Sequence, residues 1–449
     1  MPTLQDQLEE LALREPVTTP TTGLWERGRR YGRRRRAGAV LVGGGAAAVV
    51  LAVVAVGWLR VPGAADLPAT GGTLELTLPD AFHEPSRWLP TTDDPPGPLV
   101  AVIPTQDASF WGEEEPGVVG VSAATGEYAF LDLPGLPGSP TGPDDSTAPA
   151  LSADGRLVAY WYVGQTRGEP VRRGPVLAGV AVYDTITGDV VRRPVPTEHG
   201  VNAAELTWSG DVLWMTWMAW DTVRPRSATG SGAVAWTPTT GAEVVHPEVS
   251  DLDGLTAGGD GSLVAGGRRL GLRDAEDPDA PVMSWRFSRP TTGTAYLSPD
   301  GTRVAALAGG TATSDTGRRG RLLVGEVGAP GTTIRLRETA GQGWNGLAGW
   351  RDDGHVVASD LARVAAEDPE PSTLLHSVDI ITGDVEDLVV QRTAADGPLV
   401  LAQDALAAPT YDAPDPARPL DPRLEAALLA VALVTGIAGV LLWRRRVRP

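Results

Sequence analysis

Two short elements recur along the middle of this chain, and that self-similarity constrains its fold more than any single residue does. The first reads Leu151-Ser-Ala-Asp-Gly-Arg-Leu-Val-Ala-Tyr160 and returns as Leu297-Ser-Pro-Asp-Gly-Thr-Arg-Val-Ala-Ala306. Looser copies are Gly258-Gly-Asp-Gly-Ser-Leu-Val-Ala265 and Trp350-Arg-Asp-Asp-Gly-His-Val-Val-Ala358, with Trp208-Ser-Gly-Asp-Val-Leu-Trp214 as a shifted variant. Each sets a turn of Asp-Gly type before a β-rich run, where glycine supplies the positive φ of a tight hairpin. The second element follows at a distance. It reads Val118-Val-Gly-Val-Ser-Ala-Ala-Thr-Gly-Glu127, Val180-Ala-Val-Tyr-Asp-Thr-Ile-Thr-Gly-Asp189, Ala233-Val-Ala-Trp-Thr-Pro-Thr-Thr-Gly-Ala242 and Leu375-His-Ser-Val-Asp-Ile-Ile-Thr-Gly-Asp384. Leu322-Leu-Val-Gly-Glu-Val-Gly-Ala-Pro-Gly331 is a relaxed version.

Two hairpins per unit make four antiparallel strands, and units recurring roughly every 40–60 residues have the size of a propeller blade. The expectation is an all-β β-propeller of six or seven four-stranded blades. A degenerate blade falls at 252–290, and the segments Thr73–Leu78 and Pro398–Gln403 are expected to combine into a seventh. The aspartates of the repeats are expected to shape turns. Long connections, such as Gly164–Ala178, Gly309–Gly320 and Ser359–Ser372, are expected to gather on one face as a binding surface.

The Ser-Pro-Asp-Gly turn before a β run resembles the repeat of TolB-like and WD-repeat-like bacterial propellers, over roughly residues 80–395. The Trp-Asp of true WD repeats occurs here only as Trp220-Asp221. The layout also resembles bacterial membrane proteins encoded beside alternative sigma factors. In these, an acidic and then arginine-rich tail precedes one helix and an ectodomain. That resemblance implies a regulatory link between the N-terminal tail and a cytoplasmic partner.

Two apolar runs bracket the repeats. Residues 37–59 carry no charge, and 424–443 carry only Glu425 at their edge. At about 1.5 Å rise per residue, each run can span a hydrocarbon core of about 30 Å. Arg33, Arg34, Arg35 and Arg36 precede the first run, and Arg444, Arg445 and Arg446 follow the second. By the positive-inside rule both clusters stay cytoplasmic, which places 60–423 outside. The expected order is a cytoplasmic tail (1–36), a transmembrane helix (37–59), an extracytoplasmic propeller (60–423), a transmembrane helix (424–443) and an Arg-rich tail (444–449). Leu67-Pro-Ala-Thr-Gly71 spells a sortase-type motif but lies far from the C-terminus and is read as coincidence.

The formal charge of −18 is unevenly spread: 1–36 and 425–449 each carry +3, leaving −24 between them. Such an acidic domain argues against nucleic acid as a partner, because phosphate contacts require cationic surface. All 38 cationic side chains are arginine, and there is no cysteine. Thiolate metal sites, thiol nucleophiles and disulfides are therefore excluded.

No cofactor or metal is expected. The histidines His83, His199, His246, His355 and His376 lack zinc-ligand spacing. No GxSxG elbow, phosphate loop or dinucleotide fingerprint occurs in a supporting context. Trp208, Trp214, Trp217 and Trp220 read as one aromatic cluster between blades, and Glu113-Glu114-Glu115 reads as a solvated loop. In the tail, Leu4, Leu8 and Leu11 form one stripe of a short amphipathic helix that ends before Pro16. These residues are the expected contact with a protein partner, and the bilayer is the other partner. The reading is a non-enzymatic binding or sensing module on the membrane. The competing readings are an envelope hydrolase or lyase using the propeller channel, and a scaffold of an envelope complex.

Overall fold

A computed structural model describes residues 76–447, apart from 93, 109–113, 138–147, 172–175, 224–227, 248–254, 258–262, 266–268, 276, 278–279, 281, 310–318, 340, 363–371, 393–398 and 414. The expected tail and first apolar run, with Leu4, Leu8, Leu11, Arg33, Arg34, Arg35 and Arg36, lie outside the described residues. The chain divides into a β unit within Ala64–Pro419 and a second unit that contains the C-terminal helix.

The β unit is built from six successive groups of four antiparallel strands. The first joins Val400–Leu401, Leu99–Ala108, Glu114–Ser122 and Tyr128–Phe130. The second holds Ala150–Leu151, Leu157–Gly164, Val176–Asp184 and Val190–Pro194. The third holds Val201–Ser209, Val212–Trp220, Ala228–Thr237 and Ala242–His246, and joins the second through one pairing, Val201 with Leu177. The fourth holds Leu255–Ala257, Leu263–Ala265, Arg269–Arg273 and Met283–Phe287. The fifth holds Thr292–Leu297, Arg303–Ala308, Arg321–Glu326 and Arg337–Glu338. The sixth holds Gly346–Asp352, His355–Ala362, Ser372–Asp379 and Val385–Arg392. Two parallel additions extend outer edges: Thr333–Ile334 on the fourth group and Ala81–His83 on the sixth.

The groups follow from strands that are apolar on both sides. In Arg303–Ala308, Val304 and Ala306 pack with Leu270, Trp285 and Phe287 of the fourth group. The alternate residues Ala305 and Leu307 pack with Trp350 and Val356 of the sixth and with Trp344, which precedes it. Likewise Val158 and Tyr160 face the first group, whereas Ala159 and Trp161 face the third. Side chains alternate across a strand, so a continuous apolar run must be covered on both faces. The cores therefore lie between neighbouring groups.

First strands also touch in sequence. Val400–Leu401 meets Ala150–Leu151, which meets Val201–Ser209, then Leu255–Ala257, Thr292–Leu297 and Gly346–Asp352 in turn. Gly346–Asp352 meets a short 3-10 helix, Gln403–Ala407, which directly follows Val400–Leu401.

Three expectations are corrected by these pairings. The described residues of the two segments expected to combine into a seventh group, Thr73–Leu78 and Pro398–Gln403, take different partners. Val400–Leu401 joins the first group, while Leu78–Pro79 pairs in parallel with Thr410–Tyr411. The four tryptophans do not form one cluster. Trp208 packs between the second and third groups, with Trp217 beside it, whereas Trp214 points to the opposite face and Trp220 ends its strand half-buried. Period-two alternation separates them. Glu114 and Glu115 begin a strand rather than a loop, because Leu99–Ala108 extends far enough to pair Asp107 with Glu115.

Glycine decides the first hairpin of the second group. Gly155 has φ +71°, and a Cβ there would overlap the Leu99 carbonyl oxygen of the first group. Gly301 occupies the matching turn at φ +69° with open space around it. Gly155→Ala is expected to lower stability by about 2 kcal/mol or more, and Gly301→Ala by about 1 kcal/mol. Chemical denaturation of the two variants checks the difference.

Candidate functional site

The repeated turns account for most of the conspicuous carboxylates. Asp154 accepts hydrogen bonds from Ser152 Oγ (2.6 Å) and from the Arg156 N–H (3.1 Å). Asp300 does the same with Ser298 Oγ and the Thr302 N–H (2.9 Å). In the second hairpins, Asp184 Oδ1 accepts from the N–H groups of Ile186 (2.8 Å) and Thr187 (3.2 Å). Asp379 Oδ1 accepts from those of Ile381 (2.7 Å) and Thr382 (2.9 Å). The threonine before each glycine then accepts from the second N–H onward, at 3.2 Å for Thr125, Thr187, Thr240 and Thr382. The recurrent Asp and Thr are thus capping groups for turn amides.

Their charges are stabilised accordingly. The hydroxyls of Ser298 and Thr302, with the Thr302 N–H, hold the Asp300 carboxyl down at about 2. Burial pulls Asp184 upward, but the Arg156 guanidinium at 2.8 Å and two turn amides outweigh it and hold the carboxyl below its usual range. Two turn N–H groups, of Thr382 and Ile381, lower Asp379. At the position of Arg156, the sixth group carries His355, whose Nδ1 lies 2.9 Å from Asp352 and Nε2 3.8 Å from Asp379.

A second polar cluster is buried rather than turn-forming. Between the fifth and sixth groups, Asp360 is 7 % exposed and pairs with Arg319 at 2.8 Å. On the same sheet face His376 is 5 % exposed. Its ring lies 5.3 Å from that of Trp344, and Nδ1 is 2.8 Å from Asp387 Oδ1 without hydrogen-bond alignment. The third group repeats part of this arrangement, with His246 buried against Trp214 at 4.7 Å. In each case the histidine sits opposite an alanine, Ala233 or Ala358, which leaves room for the ring. These polar groups lie in seams that sequence spacing does not reveal; the small residue opposite a histidine was the available signal. Among the described residues no group of three or more His, Asp or Glu side chains is placed to hold a metal ion.

The other expected site residues lie on the C-terminal helix, α1, Pro422–Val447. It extends beyond the expected 424–443 at both ends. Asp421 caps it by accepting the Arg423 N–H at 2.8 Å, with Pro422 next, where a missing N–H costs nothing. Its large apolar side chains are exposed from Leu424 to Trp443, including Leu433 at 66 % and Val434 at 64 %. The segment Pro422–Arg445 is long and apolar enough to cross a membrane, and among the described residues it is the one helix that meets that criterion. Arg444, Arg445 and Arg446 fall in its last turn, where cations complement the helix dipole. The centres of the long connections, at 138–147, 172–175, 224–227, 310–318 and 363–371, lie outside the described residues.

No family model matches this chain, and no curated protein matches it. Among solved structures, an uncharacterized protein from Listeria monocytogenes EGD-e aligns at 9 % identity and TM-score 0.39, over 77 % of this chain and 98 % of its own. A fungal alcohol oxidase of the AA5 family, in complex with copper, aligns at 11 % identity and TM-score 0.38, over 67 % of this chain and 66 % of its own. A chain of the Mitotic Checkpoint Complex aligns at 16 % identity and TM-score 0.35, over 75 % and 88 %. At such scores none of these likenesses carries an argument about fold or activity.

The lowered carboxylates fix the sign of the acid response. Their folded pKa values lie below the ordinary 3.8, so their contribution is complete above about pH 4. It is lost as pH falls through the folded values, near 2 for Asp300. Denaturation midpoints measured from about pH 5 to about pH 2 should fall steadily. Asp300→Asn should make that fall shallower than in the parent.

Proposed function

We propose that this chain is a two-pass membrane protein that displays a six-bladed β-propeller outside the cytoplasm as a binding or sensing module. The observation that carries the reading is the return of the chain to its own beginning. Val400–Leu401 supplies the first strand of the first group, and first strands touch in succession back to the 3-10 helix. Cores between successive groups, rather than within a two-layer stack, support a radial arrangement. Closure by Val400–Leu401 favours six blades over seven.

Return of the chain also explains how apolar runs can sit at both ends of one domain. Leu78–Pro79 lies beside Thr410–Tyr411. Thr77 Oγ1 donates to the Ala123 carbonyl at 2.6 Å, and Tyr411 packs over Gly126. Both ends therefore meet at the second-hairpin turn of the first group, on the side of the tight turns. In this reading residues 37–59 and α1 enter one bilayer together, with Arg33–Arg36 and Arg444–Arg446 cytoplasmic. The tight turns face the membrane, and the long connections face outward to meet a protein or envelope ligand. The stripe Leu4, Leu8 and Leu11 is left in the cytoplasm to contact a regulator of sigma-factor type.

Protease added to intact protoplasts tests the topology. Cleavage is expected within 60–423, first at the long connections, while both terminal fragments stay with the membrane. Cleavage only after the bilayer is opened would reject it. Immobilised peptide 1–36 tests the regulatory arm: it should retain a sigma-type transcription factor, and Leu8→Asp should abolish retention. If the parent peptide retains none, the arm has no role.

A further inference from the structure

The β unit is closed by an exchange of short strands between its two ends. Val400–Leu401 pairs with Ala101 and Val102 of the first group, two residue pairs against the nine that join Leu99–Ala108 to Glu114–Ser122. Next, the Ala402 N–H donates to the Val100 carbonyl (3.0 Å) and the Asp404 N–H to that of Ala153 (3.0 Å). Ala402, Ala405 and Leu406 are fully buried among residues of the sixth, first and second groups. Gln403 packs on Gly349, which has φ +141° and no room for a Cβ. Thr410–Tyr411 then pairs with Leu78–Pro79, the Ala413 N–H donates to Asp80 Oδ1 (3.1 Å), and Asp415 lies 3.5 Å from His83.

This segment is held against two local costs. The Tyr411 hydroxyl is buried without a hydrogen-bond partner. The Asp404 carboxyl is raised by burial and by the nearby Asp154 carboxylate, two features that oppose a permanent seat. Few pairs, a small apolar anchor, an orphan hydroxyl and a like-charge neighbour describe an element that opens before the sheets do. Seven residues beyond Asp415 the chain begins α1 at Pro422.

We propose that residues 400–415 are a detachable latch: its release takes one short strand from the first group and opens the β unit at that seam while the second to sixth groups remain folded, linking the C-terminal helix to the domain. The proposal rests on the closed-ring reading above, and sheet integrity is read separately from latch release, so the two can fail independently.

Hydrogen exchange of the full-length chain in detergent micelles tests it. Peptides covering 400–411 and 76–83 should exchange together, at least about tenfold faster than Leu157–Gly164 and Val176–Asp184. Tyr411→Phe removes the orphan hydroxyl and Asp404→Asn removes the repulsion. Each should slow exchange at 400–411 severalfold without altering the second or fifth group. The chain has no cysteine, so L401C with A101C offers a single disulfide across an antiparallel pair, and oxidation should give the same local protection. Exchange at 400–411 as slow as in the second group would overturn the latch. So would variants that leave it unchanged, or that slow all groups equally.

Discussion

A strand whose odd and even residues are both apolar cannot lie at the surface of a two-layer protein. Arg303–Ala308 and Leu157–Gly164 are such strands, and each covers one face with the preceding group and the other with the following one. A row of such groups would leave an apolar face bare at each end. Joining the ends removes both faces at once, as sheet closure removes exposed edges. The two residues Val400–Leu401 therefore do more than their own hydrogen bonds contribute. They bring the sixth group against the first, where Val357, Leu375 and Val389 meet Val102, Val119 and Val121.

Local chemistry was legible in the sequence, and non-local pairing was not. Ser-x-Asp-Gly and Asp-x-x-Thr-Gly announce turns because their side chains bond amides two or three residues away, and these bonds are present. Four described strands, from Leu255–Ala257 to Met283–Phe287, fall inside the 252–290 unit expected as a degenerate blade. The destination of Val400–Leu401 was not readable, since its partner lies some 300 residues earlier and a two-residue strand has no period. The split of Trp208 from Trp214 was available in principle. Counting alternation through Val212–Trp220 assigns Leu213, Met215 and Trp217 to one face and Trp214 to the other.

The same distinction applies to the polar residues. The Asp of a repeated turn invites a reading as a ligand, yet Asp154, Asp184, Asp300 and Asp379 are already engaged with turn N–H groups. By contrast, Arg319–Asp360 joins two separate groups and no spacing rule connects them, whereas His376 and Asp387 face each other across one hairpin. Burial makes the first pair consequential. Removing Arg319 alone would leave Asp360 without its cation in a seam, which is costlier than losing a surface pair.

The two units place opposite demands on solvent. In the β unit the large apolar side chains sit mainly in the seams, whereas in α1 nearly every one from Leu424 to Trp443 is exposed. At about 25 cal/mol per Å² of apolar surface, a helix of this kind left in water carries a penalty of tens of kcal/mol before any backbone term. Pro422–Arg445 is long and apolar enough for a bilayer to remove that penalty. The stretch before the helix reads Asp-Ala-Pro-Asp-Pro-Ala-Arg-Pro, residues 412–419. Proline has no amide donor and favours extended backbone, so a stretch of this composition needs no ladder partner on either side of the step from β unit to helix.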